Sequence, residues 1–137
     1  MKKSRKVLLR ILGVFLAMII VGLVWWNVST PLVNIAPANV SKIEIFYQGK
    51  TVVITNTNDI KHIIDNLNSV SFKKDRISLF YLGFSFKTTI YKSNGHVYKK
   101  FIIETKDAIR KDPFFYQSTS GSIDYNYIKG LFKNKTN

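Results

Sequence analysis

The side chains that most often carry out catalysis are few in this chain and are spread apart. The chain has two histidines and no cysteine, so it cannot assemble a cysteine-ligated structural zinc site. His62 falls on a predicted helix and is expected at its surface, and His96 borders a predicted turn. The eight carboxylates are scattered, and the sequence contains no phosphate-binding glycine loop or hydrolase motif. We therefore predict a protein that is not an enzyme and that binds no metal or cofactor.

A better candidate for function is a group of tyrosines and lysines in the stretch FSFKTTIYKSNGHVYKKFIIET. Two alternating runs flank Asn94-Gly95, a pair typical of a two-residue hairpin turn in which both residues have positive φ. Counting outward from such a turn pairs Tyr91 with Tyr98 and places Lys87 and Lys100 on the same face. These four residues form the predicted ligand-binding site. The opposite face of the hairpin is predicted to join the core through Phe86, Ile90, Val97, Phe101 and Ile103.

Two elements that precede this hairpin are predicted from apolar periodicity. Alternation in KIEIFYQGKTVVIT predicts an earlier hairpin that turns at Gln48-Gly49. In NTNDIKHIIDNLN, the asparagines and the threonine provide candidate N-caps for a helix. The apolar residues at helical spacing in that segment are Ile60, Ile63, Ile64 and Leu67.

The segments between and after these elements are less regular. Val70 and Phe72 indicate a short strand, and Lys73–Arg76 indicates a charged loop. The following ISLFYLG fits either a strand or a flexible flap. Near the C-terminus, Arg110-Lys111 is interpreted as part of a loop, and an edge strand is predicted around Phe114–Tyr116. Ser122 is expected to cap a final helix with Ile123, Tyr127, Ile128, Leu131 and Phe132 on one side.

These elements stand behind a long apolar stretch, VLLRILGVFLAMIIVGLVWW, from Val7 to Trp26. A helix of this length spans roughly 30 Å, the thickness of a bilayer's hydrocarbon core. Basic residues precede the stretch, and the next charged residue after it is Lys42, so the N-terminus is expected in the cytoplasm. A cleavable signal peptide is the alternative. Its apolar core is usually only about 7–15 residues long, which favours an uncleaved anchor.

The patterns divide the chain into four parts. They are a cytoplasmic basic tail (1–6), a transmembrane helix (7–26), an extended linker (27–41) and an extracytoplasmic α+β domain (42–137). The uncharged linker contains Pro31 and Pro37 and is predicted to be a tether that lifts the domain off the bilayer. The domain has the predicted order β-β-α-β-β-β-β-α, which favours a small antiparallel sheet with helices packed on one face.

The predicted outer part is basic, because its sixteen basic and eight acidic residues give it a net charge of +8. Such a surface is attracted to anionic lipid headgroups or wall polymers, although it could also serve only solubility. Rings beside cations suit an envelope protein, a peptide or an anionic polymer as partner. Because the domain is expected outside the cell, we predict no nucleic-acid partner. The alternative is that the tyrosine pair only stabilises an exposed hairpin.

Five segments carry a resemblance to known proteins: SKIEIFY, VVIT, DIKHIIDNLN, YKSNGH and YIKGLF. They resemble segments of small Firmicute proteins that have an N-terminal membrane anchor or lipobox and one extracytoplasmic domain of unknown function. The resemblance implies the cell envelope of a low-GC Gram-positive bacterium and contributes no catalytic residue. The order of elements also resembles the β-α-β4-α arrangement of TATA-binding-protein-like folds, from which the leading hairpin strand departs.

The expected function is therefore binding at the cell envelope without catalysis. One version is an immunity protein that intercepts an incoming peptide, and another is a subunit of a larger envelope complex. A first alternative is an enzyme or accessory acting on wall polymer, which needs a cleft holding a carboxylate of raised pKa. The candidates for that carboxylate are Asp75, Glu104, Asp107 and Asp112. A second alternative is passive electrostatic attachment to the anionic envelope surface, which salt would reverse.

Overall fold

The computed structural model describes residues 2–83 and 85–134. In them, helices form at α1 (Lys2–Asn27), α2 (Thr57–Ser69) and α3 (Tyr125–Asn134), with a short 3-10 helix at Pro37–Asn39. The strands are β1 (Thr30–Pro31), β2 (Val40–Tyr47), β3 (Lys50–Ile54), β4 (Ser71–Ile77), β5 (Phe86–Lys92), β6 (Val97–Ile103), β7 (Ala108–Lys111) and β8 (Phe114–Ser120). They form one antiparallel sheet in the order β1-β4-β8-β7-β6-β5-β2-β3.

The core lies between one face of this sheet and the helices α2 and α3. On the helix side, α2 buries the four residues predicted from its periodicity: Ile60, Ile63, Ile64 and Leu67. Alternate strand residues meet them from the sheet: Ile43, Ile45, Phe86, Ile90, Ile103 and Ile109. From α3, Phe132 packs against Tyr47 and Phe86 at ring-centroid distances of 5.6 and 5.5 Å. The predicted α+β class, with an antiparallel sheet and helices on one face, is confirmed.

The first helix is separate from this core. Its side chains from Val7 to Trp25 are exposed, and the most apolar part of the helix is not buried against the rest of the protein. The span Ser4–Asn27 has a mean hydropathy of 2.8, so α1 is long and apolar enough to cross a membrane. The predicted segment 7–26 lies within α1, which begins five residues earlier and ends one residue later.

The segment predicted as a tether packs on the folded domain. Leu32 and Val33 are 6% and 1% exposed and belong to the core. β1 pairs with β4, and the Lys99 ammonium donates a hydrogen bond to the Leu32 carbonyl. Residues 27–41 thus lack the free length to hold the domain away from α1. The sequence signal for this packing was the apolar pair Leu32-Val33, because solvated tethers are usually poor in large apolar side chains.

Two segments form strands where the sequence predicted loops, and a third forms the predicted strand at a different position in the sheet. Lys73–Arg76 belongs to β4 and Arg110-Lys111 to β7, although both were interpreted as loops. Phe114–Tyr116 lies in β8, which is central between β4 and β7 rather than an edge strand. Charged residues are typical of loops, but a strand can also carry them where its side chains reach solvent, and Lys73, Asp75 and Arg76 are exposed. ISLFYLG leaves the sheet after Ile77 and forms a loop.

The two hairpins have different turns. Gln48 and Gly49 both have positive φ, 48° and 77°, between the paired residues Tyr47 and Lys50, as the prediction of a two-residue turn requires. In the second hairpin Gly95 alone has positive φ, 82°, and the Lys92 amide donates to the His96 carbonyl at 2.9 Å. The turn therefore has three residues, and the two-residue prediction was wrong.

The longer turn changes the register at the end of this hairpin. From Phe86 opposite Ile103 to Ile90 opposite Lys99, the pairing is as predicted. Beyond that point a bulge shifts it, and Tyr91 lies opposite Val97 instead of Tyr98. Because of the shift, Val97 is 45% exposed rather than in the core.

The two domain helices begin at polar caps. The Asn56 side chain accepts hydrogen bonds from the amides of Asn58 and Asp59 at 2.8 and 3.2 Å, which confirms a cap from the residues before α2. For α3, the Asp124 carboxylate rather than Ser122 accepts from the Tyr127 amide, at 3.1 Å. The prediction that Ser122 caps this helix was wrong, because the helix begins three residues later, at residue 125.

Candidate functional site

The candidate site lies on the sheet face that α2 and α3 leave uncovered, called the open face below. Strand alternation places these side chains on it: Lys42, Glu44, Phe46, Lys87, Thr89, Tyr91, Lys100, Ile102, Arg110 and Phe115. Three of the four predicted site residues, Lys87, Tyr91 and Lys100, are among them. Lys87 lies opposite Ile102 and Lys100 lies opposite Thr89, so the two lysines are diagonal neighbours, roughly 7–8 Å apart in such a pairing.

Lys87 and Lys100 line a groove of about 320 Å³ on this face, together with Lys111. All three lysines are exposed. The half-buried Thr89 and Ile102 lie opposite Lys100 and Lys87, on β5 and β6. The groove therefore combines an apolar floor with ammonium groups at its edges. Such a lining suits a ligand that has an apolar body and an anionic group.

Tyr91 is already engaged by neighbours on β2. Its hydroxyl donates to Glu44 Oε2 at 2.8 Å, and Lys42 Nζ donates to Glu44 Oε1 at 2.7 Å. The Lys42 ammonium also lies 4.3 Å from the centre of the Tyr91 ring. The hydrogen bonds from Lys42 and then Tyr91 lower the pKa of the Glu44 carboxyl, and the bond to Glu44 raises the pKa of Tyr91. This triad positions the ring on the open face.

Tyr98 is separated from the other three predicted residues. Its ring packs against the core on the helix side of the sheet, and its hydroxyl exchanges hydrogen bonds of 3.1 Å with the Asn34 backbone. The bulge in β6 is the cause, since one extra residue changes which face the next side chain reaches. The predicted pair of Tyr91 with Tyr98 was therefore wrong. The signal that could have warned of it is the run Ser-Asn-Gly, which also fits a three-residue turn.

Arg110 is the site residue that sequence reasoning missed. Its side chain is 6% exposed, with Nε 3.6 Å from Glu104 Oε1 and 3.8 Å from Asp112 Oδ1. Its Nη1 donates to the Tyr81 carbonyl at 2.8 Å. Burial raises the pKa of the Glu104 carboxyl, and Arg110 opposes that rise. The buried cation lines the groove beside Lys87 and Lys100 and joins it to the loop after β4.

The histidines occupy the places expected of them. His62 is on the exposed side of α2, where Nε2 lies 3.0 Å from Asp124 Oδ2 and the ring stacks on Tyr127 at 3.9 Å. The hydrogen bond from His62 is the main cause of the lowered pKa of Asp124. His96 is exposed after the second hairpin turn. Across residues 2–83 and 85–134, no group of three histidine or acidic side chains could hold a metal ion.

The carboxylates named for the enzyme hypothesis are not all solvated. Asp75 and Asp107 are paired with neighbouring cations on the surface, Arg76 and Lys106. Glu104, however, is largely buried, has a raised pKa and lines a groove of about 680 Å³ together with Asp124. One carboxylate of raised pKa beside a cavity is therefore present.

No known family model, curated protein or solved structure matches this chain. The resemblance to small Firmicute envelope proteins stays a prediction.

Proposed function

We propose that this protein is anchored in the cell envelope by α1 and binds an anionic partner through the groove on the open face, without catalysis. The observation that carries the proposal is the groove itself, where Lys87, Lys100, Lys111 and the buried Arg110 gather around an apolar floor. Asp112 is the acidic residue in the lining, so the cations are in excess. An anionic wall polymer, an acidic peptide or an acidic patch of an envelope protein has the complementary chemistry.

The membrane part of the proposal rests on the charge and length of the N-terminal region. The apolar span begins after a run of lysines and arginines, and the first acidic residue of the chain is Glu44. Since basic residues are retained on the cytoplasmic side, the groove faces outward. An outward binding domain fits either an immunity protein that intercepts a peptide or a subunit of an envelope complex.

Crosslinking in living cells tests this proposal. A photoreactive residue at Thr89 reports contacts in the groove, and the same residue at the exposed Asn58 on α2 is the control. The proposal predicts one discrete adduct at Thr89 that is lost in K87Q/K100Q. The matched charge change on α3, K129Q/K133Q, leaves that adduct in place.

Two other outcomes contradict the proposal. Equal loss of the adduct in both double variants, with release as salt rises through roughly 0.1–0.5 M, would indicate passive electrostatic attachment. An identical pattern of adducts at Thr89 and Asn58 would mean that the groove has no partner of its own.

A second candidate function is hydrolysis of wall polymer at the groove that Glu104 shares with Asp124. Glu104 has a raised pKa and Asp124 a lowered one, and such a division suits a general acid beside an ionised carboxylate. Release of soluble fragments from purified cell wall by the full-length protein, abolished by both E104Q and D124N, would support it. If the unchanged protein releases no fragments, this candidate is rejected.

A further inference from the structure

The loop that follows β4 displays large apolar side chains to solvent. Phe80 and Leu82 are 97% and 90% exposed, more than any large apolar side chain of α1, and Leu79 is 60% exposed. Soluble surfaces rarely concentrate such groups in a few residues unless the groups contact a partner or a lipid phase. Residues 78–83 are called the apolar loop below.

The fold holds the apolar loop at Ser78 and at Tyr81. At its start, the Ser78 amide donates to the Pro113 carbonyl at 2.8 Å, and the Ser78 hydroxyl donates to Asp112 Oδ1 at 2.6 Å. Further along, Arg110 donates to the Tyr81 carbonyl, and its guanidinium carbon lies over the Tyr81 ring, 5.0 Å from the ring centre. These contacts fix the loop on either side of Phe80, so the exposure of Phe80 does not come from a loosely attached segment.

The backbone of the tip is itself unusual. Phe80 has φ 67°, in the left-handed region that large L-residues rarely adopt. Conformations of this kind persist where surrounding contacts fix them, and they often mark functional segments. In this case the conformation turns the Phe80 ring away from the domain, where it is almost fully exposed.

The direction of β4 shows which end of the domain carries the apolar loop. The chain leaves α1 through β1, and β4 is antiparallel to β1, with Phe72 opposite Thr30. β4 therefore runs back toward α1. Along it, Lys74 Nζ reaches the Trp25 carbonyl at 3.4 Å and lies 3.6 Å from the centre of the Trp25 ring.

The loop begins at the level of the tryptophans that end the apolar span. Ile77, the last residue of β4, is paired with Phe114 of β8. The Phe114 ring in turn meets the rings of Trp25 and Trp26 edge-on, at centroid distances of 6.2 and 5.6 Å. Tryptophans at the end of a membrane-spanning helix lie at the lipid–water interface. The apolar loop follows immediately after Ile77 and so lies beside this interface.

We propose that the apolar loop inserts into the outer surface of the membrane that α1 crosses and gives the domain a second lipid contact. Phe80 and Leu82 would enter the headgroup region, where apolar side chains of peripheral segments are buried by roughly 5–10 Å. Lys74 and Arg76, on the strand that leads to the loop, can bind anionic headgroups. This inference rests on the proposed anchoring by α1, and it adds that the domain is held in one orientation instead of rotating about the end of α1.

A lipid-depth measurement tests the inference in the full-length protein. The chain has no cysteine, so single-cysteine variants can each carry one environment-sensitive fluorophore. The informative position is F80C. The control on the domain is K106C, an exposed position that precedes β7, whereas the apolar loop contacts the residues that follow β7. L16C within α1 reports insertion of the anchor. Each labelled protein is reconstituted in phosphatidylcholine–phosphatidylglycerol vesicles with and without spin-labelled quencher lipid.

The expected result is blue-shifted emission and quenching by lipid at L16C and F80C, with neither at K106C. A label at L82C should lose its blue shift when F80D is added, because a charge at the tip opposes insertion. If L16C is quenched while F80C behaves like K106C, loop insertion is rejected and anchoring by α1 is retained. If L16C is not quenched, anchoring by α1 is rejected, and the inference that rests on it is rejected too. A blue shift at F80C without quenching by lipid would mean that protein, such as a second copy, covers the loop.

Discussion

Neighbouring residues on β2 show how the two faces of the sheet differ. Ile43 and Ile45 are 0% exposed and contribute only apolar packing to the core. Lys42 and Glu44, one residue away, are half-buried and hold each other and Tyr91 through hydrogen bonds. The covered face is thus stabilised by burial, whereas the open face is organised by specific polar pairs. We expect substitutions on the first to change folding and substitutions on the second to change binding.

The largest effect is expected from truncating the covered face at Phe86, which is 0% exposed. Phe86→Ala removes a ring that packs on Tyr47 and Phe132, and such a cavity costs about 3–5 kcal/mol of the free energy of unfolding. Phe46 lies on the open face of the neighbouring strand β2 and is only half-buried, so Phe46→Ala should cost only about 1 kcal/mol. Urea unfolding of both variants measures the difference, and equal losses would contradict the contrast between the faces.

This contrast also explains what could be predicted from the sequence. Apolar alternation and helical spacing gave the fold class, the residues that α2 buries and the first hairpin turn, because burial leaves a periodic trace. β7 was missed because Arg110 resembles a charged loop residue in the sequence, whereas its burial depends on contacts with Glu104 and the Tyr81 carbonyl that follow no strand periodicity. The misplaced Tyr98 has a different and local origin, the one-residue bulge next to the turn, which reverses the face that a side chain reaches.

The next largest loss of stability is expected at Arg110, which is buried although it lies on the open face. Arg110→Met leaves the Glu104 carboxylate buried without its cation and should cost about 3 kcal/mol in unfolding free energy at neutral pH. Adding Glu104→Gln removes the orphaned charge, so the double variant should recover most of the loss. The exposed Arg76→Met is the matched control and should change stability by less than about 0.5 kcal/mol. Additive losses in the double variant would show that the two groups are not coupled.

A smaller effect is expected at the helix starts on the covered side. Asn56→Ala removes the acceptor of two amide hydrogen bonds and should cost about 1 kcal/mol in unfolding free energy. Ser122→Ala should cost less than about 0.5 kcal/mol, because Asp124 rather than Ser122 accepts from the Tyr127 amide. Thermal or urea unfolding measures both losses. A larger loss for Ser122→Ala than for Asn56→Ala would show that Ser122 does cap α3.

A still smaller effect concerns pH and compares one ion pair on each side of the sheet. The pKa values of Asp124 and Glu44 are lowered in the folded state, mainly by hydrogen bonds from His62 and Lys42. A lowered carboxyl pKa contributes stability above the pKa of the unfolded chain, and this contribution is lost as pH falls through the folded-state value. His62→Ala and Lys42→Ala should each flatten the acid side of the stability profile. Because solvent reaches both pairs, high salt should weaken both effects.

The smallest effect on folding is expected where the effect on binding is largest. Lys87→Gln with Lys100→Gln removes two exposed charges from the groove and should change the free energy of unfolding by less than about 0.5 kcal/mol. The same double variant is expected to lose the crosslinked adduct at Thr89. If stability instead falls by more than about 1 kcal/mol, the lysines have a structural role and a lost adduct no longer reports recognition. Unfolding and crosslinking measured on one preparation therefore separate a binding face from one that only stabilises the sheet.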